Sequence, residues 1–206
     1  MARISAVPAR EAGFRTKLAY FFVRRGMAQL AGRELETAME PVQVMAHRPA
    51  LLNAYGKLEQ VTAKLDRLPE RLNHLAQLKA ATLTSCEFCI DIGSQVARRG
   101  GLTDEELLAL ASYRTSPLFD AVDRLVLDYA VAMTNTPVDV PDALFARLRE
   151  QFTDAQIVEL THVIAIENHR GRFNLALGIG AAGFSEGMVC AAAATHPHPT
   201  AVASAA

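Results

Sequence analysis

Apolar positions recur along this chain at helical spacing, and runs that alternate every second residue are absent. From Pro69 onward, Leu72, Leu75, Ala76 and the run Leu78 to Ala80 form one apolar stripe, predicting a helix that the proline opens. Between Asp154 and Leu177, the residues Ile157, Leu160, Val163, Ile164 and Ile166 predict a single long helix. Start signals repeat: Thr84 with Glu87, Thr103 with Glu106 and Thr153 with Gln156 each match a capping box. Ser116 before Pro117 and Val140 before Pro141 mark two further starts, and Gly100–Gly101 stops the helix that Thr84 opens. The expected class is all-α, with roughly seven to nine helices counted from these signals. Residues 1–13 lack periodicity and read as a flexible N-terminus, 14–185 as one helical domain, and 186–206 as a disordered tail rich in Ala, His and Pro. His196 and His198 lie in that tail.

Composition narrows the partners. Half of the 206 residues are hydrophobic, so core material is ample for a domain without a disulfide scaffold. Lys plus Arg total 21 against 22 for Asp plus Glu, a net charge of -1, and no basic stripe departs from that balance. Neither nucleic acid nor an anionic membrane is an expected partner. The most apolar N-terminal stretch, Leu18 to Val23, is followed at once by Arg24 and Arg25. It is too short for a spanning helix and lacks the form of a signal peptide. Three cysteines are too few for a secreted framework, so a reducing, cytoplasmic setting is expected. Phe14 to Leu30, with Phe21, Phe22, Val23 and Met27, packs on a neighbouring subunit or fills its own core; its pattern allows both.

Candidate chemistry is concentrated at Thr84-Ser85-Cys86-Glu87-Phe88-Cys89. With Thr84 as the cap, Cys86 falls at the second helical position, where free N–H groups and the positive end of the helix dipole favour thiolate over thiol. Cys89 follows one turn later on the same face, with Cα atoms roughly 5–6 Å apart, inside the window for a disulfide. Such a pair suits thiol–disulfide chemistry. A structural zinc site would need a second ligand pair, and Cys190 stands alone, so no metal and no cofactor is expected. Two buried cysteines acting as small apolar side chains is the plain alternative.

The run from Arg71 to Gly101, with its Cys-Glu-Phe-Cys core and the Gly-Leu-Thr-Asp-Glu-Glu that follows, resembles the carboxymuconolactone decarboxylase family and its alkyl hydroperoxidase D-like branch. Glu159 to Gly178 resembles the distal helix of such proteins, and the likeness spans roughly residues 40–180. It implies an orthogonal helical bundle assembled as a homo-oligomer (dimer, trimer or hexamer). It further implies a cysteine pair that reduces hydroperoxides or exchanges disulfides, regenerated by an external thiol or dithiol. In that branch a histidine four residues after the second cysteine and a glutamate twelve before the first relay protons. Here those positions are Gly93 and His74. His74 is therefore the first candidate to join Cys86 and Cys89 as a catalytic residue, since histidine titrates near neutrality. Asp91 points away from Cys89 and Ser94 lies only partly on its face, so the other candidates come from the distal helix: His162, Glu167 and His169, with Glu159 and Arg170 close by. The resemblance assigns peroxide attack to Cys89, whereas helix-dipole physics favours Cys86 as the nucleophile. A lactone-decarboxylating lyase and a non-enzymatic redox-sensing oligomer are the competing functions.

Overall fold

The stripe beginning at Leu72 becomes the central helix of the protein, α4 (Glu70–Thr84), in a computed structural model that describes residues 2–193. Its buried residues Leu72, Leu75, Ala76, Leu78, Ala80 and Ala81 lie on several sides of the helix. The three alanines leave room for the neighbours α5 (Glu87–Arg99), α7 (Ala121–Thr134) and α9 (Asp154–Leu177) to pack closely on it. Around this centre stand α1 (Phe14–Ala31), α2 (Glu40–Met45), α3 (Pro49–Thr62), α6 (Asp104–Ala109) and α8 (Asp142–Gln151). Two short 3₁₀ turns complete the helical set, and no strand occurs among the described residues. The protein is all-α. None of these helices is long and apolar enough to cross a membrane.

Most predicted boundaries hold. The capping boxes at Thr103–Glu106 and Thr153–Gln156 are formed, α9 runs from Asp154 to Leu177, and α5 stops at Gly100. Two starts differ. Thr84 does not cap α5, because α4 continues through it and its hydroxyl donates back to the Ala80 and Ala81 carbonyls at 3.1 and 3.0 Å. Ser116 does not open a helix either; its Oγ accepts the Leu118 N–H within a turn. The helix begins at Ala121 instead, where Asp120 accepts the Val122 and Asp123 N–H groups, both at 2.8 Å, and Asp123 accepts that of Asp120. A carboxylate satisfying two free donors caps better than a serine already committed to a turn.

The described residues on either side of the helical set, 2–13 and 179–193, are tied down more than their composition implies. In the N-terminal stretch, the Arg3 amide donates to the Leu177 carbonyl at 2.7 Å, and Val7 to Gln43 at 3.1 Å. Beyond α9, residues 179–193 lie as a strap along the outer face of α5. Asp91 holds it: its two carboxylate oxygens accept the backbone N–H groups of Ala182, Gly183, Phe184 and Ser185 at 2.6–3.0 Å. Ser94 accepts the Ala191 amide further along, so part of the segment expected to form a disordered tail is fastened. His196 and His198 lie outside the described residues. Of the Phe14–Leu30 segment, Thr16 and Tyr20 turn inward, whereas Phe14, Phe21 and Phe22 are exposed.

Replacing Asp91 with alanine would strand four N–H groups, three of them on buried residues. The expected cost is about 3 kcal/mol of unfolding free energy. Hydrogen exchange at residues 182–185 should rise before that of α4. Unchanged exchange there would show that the strap is held by other contacts.

Candidate active site at the joint between α4 and α5

The joint is built from a sharp reversal. Ser85 ends α4 in the left-handed region (φ 57°), with its amide on the Thr82 carbonyl and the Cys86 amide on that of Ala81. Cys86 then stands at the N-cap of α5, one position outside the helix, where the spacing predicted the second helical position. Its sulfur does the work of a capping oxygen and accepts the Cys89 amide N–H at 3.3 Å. The expected pairing is realised: Cys86 and Cys89 form a disulfide with Cα atoms 5.2 Å apart. Both residues are buried, at 1% and 4% exposure. Glu87, between the two cysteines, is exposed, and the stretch Leu83 to Ser85 before them is half-buried.

From α9, Asn174 completes the sulfur environment. Its buried side-chain amide donates to both Cys86 and Cys89 Sγ at 3.7 Å. Gly171, one turn earlier, permits that approach, because a Cβ there would come within 2.6 Å of Thr84 Oγ1. Asn174 lies within the distal segment Glu159 to Gly178, whose candidates by sequence do not include it. The signal was present: Glu167, Arg170 and Asn174 put polar groups three and seven residues apart on a helix otherwise rich in buried apolar residues.

His74 is not brought to the sulfurs. It sits ten residues before Thr84, about 15 Å along α4. Its ring packs against Gly100, at the opposite end of α5 from Cys86, and its Nε2 lies 3.3 Å from Glu70. Restoring the relay histidine of the resembled branch at Gly93 would require Leu78 to shift, since a Cβ there would meet its Cδ1 at 3.2 Å.

The distal-helix candidates separate by role. Glu159 accepts the Arg67 and Leu68 amides at 2.9 Å and so anchors the loop before α4. His162 Nε2 lies 2.8 Å from Thr62 Oγ1; that hydroxyl donates to the Leu58 carbonyl, so the imidazole donates to it. His169 is exposed and stacks on Tyr55 and Phe173. Glu167 is buried and accepts Arg170 Nη1 at 2.7 Å, while Arg170 also grips Glu59 of α3 and Gln77 of α4. Burial raises the Glu167 carboxyl above the ordinary range despite Arg170. Glu59 experiences burial too, but its hydrogen bonds and charge contact with Arg170 leave it below that range. Among the described residues, no group of three or more His, Cys, Asp or Glu side chains could hold a metal ion.

This geometry can be set beside known proteins. Residues 49–132 match the model of the carboxymuconolactone decarboxylase family. The uncharacterized protein YnjA of Escherichia coli strain K12 is 37% identical over 166 residues, covering 78% of this chain and 89% of that protein. The chain belongs to the carboxymuconolactone decarboxylase family. Its alkyl hydroperoxidase D-like branch is supported by the structure of an Agrobacterium tumefaciens protein described as a putative antioxidant defence protein AhpD. That protein is 26% identical, with a TM-score of 0.61, over 67% of this chain and 94% of its own. The debrominase Bmp8 shares the fold at a TM-score of 0.69 and 21% identity, over 84% of this chain and 90% of its own. As a family member, the protein thus carries the bundle and the cysteine spacing while lacking both relay groups at their usual positions.

Replacing Asn174 with leucine keeps the branched shape of the side chain and removes the donor to both sulfurs. A hydrogen bond to a charged group contributes about 1.5–3 kcal/mol. Alkylation of the reduced protein by iodoacetamide at neutral pH should therefore slow by about tenfold or more. An unaltered rate would show that the amide does not hold the thiolate.

Proposed function

We propose that this protein is a thiol-dependent peroxidase whose working group is the Cys86–Cys89 pair. The observation that carries the reading is the placement of two bonded sulfurs at a helix start, with a backbone N–H on one and the Asn174 amide on both. Donors aimed at sulfur favour the thiolate, the nucleophilic and leaving form. Burial of the pair favours a small hydroperoxide over a folded disulfide partner. The reactants would enter beside the half-buried stretch from Leu83 to Ser85.

In the reduced protein, the Cys89 thiolate attacks the terminal oxygen of the hydroperoxide. An S–O bond forms, the O–O bond breaks, and the alkoxide leaves with a proton as the alcohol. Cys86, whose thiolate the α5 start stabilises, attacks the sulfenic sulfur; the S–S bond forms and hydroxide leaves as water after protonation. An external dithiol then attacks Cys89 and expels Cys86, the better leaving group of the two. Overall, two thiols and one hydroperoxide give a disulfide, an alcohol and water. Assembly as a homo-oligomer and a reducing, cytoplasmic setting belong to the same reading.

Each of Cys86→Ser and Cys89→Ser should lower dithiol-dependent hydroperoxide turnover by at least about 10²-fold, with free-thiol titration following the oxidation of the wild type. Only Cys86→Ser should accumulate a sulfenic acid trappable by dimedone. Wild-type turnover in both variants would sink the peroxidase reading and leave a lyase that needs no thiol. Oxidation once per chain without turnover would leave a redox sensor.

A further inference from the structure

Helix α1 has two apolar faces, and the fold uses only one of them. Tyr20, Val23, Met27 and Leu30 lie on its inner side and pack on the hydrophobic core. On the opposite side Phe14, Leu18, Phe21 and Phe22 point outward, with exposures of 82%, 48%, 61% and 60%. At helical periodicity these four fall within an arc of about 100°, one stripe along the first half of α1. Single exposed apolar residues are ordinary on a protein surface; a stripe of four large ones marks a binding face.

The charges around that stripe have one sign. The 18 residues of α1 hold Arg15, Lys17, Arg24 and Arg25 and no acid, in a chain whose net charge is -1. Lys17 and Arg24 border the stripe on one side, Arg15 borders it on the other, and Arg25 continues it toward the helix C-terminus. Arg24 pairs with Glu34, whereas Arg15, Lys17 and Arg25 have no ion-pair partner among the described residues. From α3, Lys57 joins Arg15 and Leu18 in lining an open groove of about 430 Å³ between the two helices. The balanced charge of the whole chain makes an anionic membrane unexpected, but that balance averages over the surface and hides this helix.

Charge selects the occupant. A second copy seated stripe on stripe about a twofold axis would set four cations against four, with no acid on either helix. A bilayer with anionic headgroups meets both demands at once. Its acyl boundary takes the three phenylalanines and the leucine, and its phosphates face the flanking cations, whose long stems reach up to them. Because the inner face of α1 is already fixed to the core, the helix can lie in the plane of such a surface while the domain stays folded.

We propose that the outer face of α1 docks the protein on anionic lipid surfaces. Phe14, Leu18, Phe21 and Phe22 enter the boundary between headgroups and acyl chains, and Arg15, Lys17, Arg25 and Lys57 face lipid phosphates. The attachment is peripheral and reversible. Anionic lipid strengthens it, by about fivefold for each unpaired cation near the surface, and salt weakens it.

The test is co-sedimentation of the full chain with vesicles of phosphatidylcholine mixed with phosphatidylserine, beside vesicles of phosphatidylcholine alone. Partitioning should be at least about tenfold stronger on the anionic vesicles and should fall as salt is raised. Phe21→Ser combined with Phe22→Ser, and separately Arg15→Gln combined with Arg25→Gln, should each weaken it about tenfold or more, with helical circular dichroism unchanged. Val158→Ser, at a comparably exposed apolar residue of α9, should leave it as in the wild type. Absence of binding, equal binding to both kinds of vesicle, or full binding by the folded double variants would overturn the proposal. So would a wild-type oligomer that ignores vesicles and dissociates in the Phe21→Ser, Phe22→Ser variant, which would assign the face to a second copy. None of these readouts involves the cysteines, so the outcome is independent of the peroxidase reading.

Discussion

How closely α9 can approach the end of α4 governs the rest of the structure. Thr84 presses into the gap left by Gly171, and a single methyl group at that glycine would overlap the threonine hydroxyl. The contact sets the depth of α9 against the bundle, and through it the reach of Asn174 to both sulfurs. A bulkier residue at 171 would force the helices apart, and packed interiors absorb such changes poorly. One absent side chain thereby couples fold to chemistry.

A second constraint comes from the two-residue joint. Ser85 adopts a left-handed backbone that L-residues other than glycine enter at a cost, of order 1 kcal/mol or more. That reversal ends α4 and starts α5 almost without a loop, delivering Cys86 to the cap and Cys89 to the first turn. On the far side of α5, Asp91 and Ser94 fasten the strap, so residues near the cysteines in sequence divide between chemistry on one face and architecture on the other. The distal-helix candidates are likewise architectural: Glu159 and His162 secure loops and helices, and Glu167 accepts Arg170.

The family fold and a bonded cysteine pair are present here, but Gly93 and His74 stand where the resembled branch has its relay groups. Here Leu78 fills the volume beside Gly93, and His74 is used to pack the far end of α4 against Gly100. On α9, the buried Glu167 shares Arg170 with Glu59, and burial raises its carboxyl above the ordinary range.

Local regularities in the sequence were enough to determine the helical class, the bounds of α9, the capping boxes at Thr103 and Thr153, and a cysteine pair that can bond. Each depends on residues within a turn or two of one another. The start of α5 was misplaced by a few residues because Thr84 can cap the following helix or bond back to its own, and the choice depends on where α4 meets Ser85. The roles of Asn174, Gly171 and His74 were decided by the tertiary structure alone. They turn on which residue of one helix meets which residue of another, from about 26 positions away for His74 and Gly100 to 88 for Asn174 and Cys86, and that register is set by side-chain volumes across the whole core.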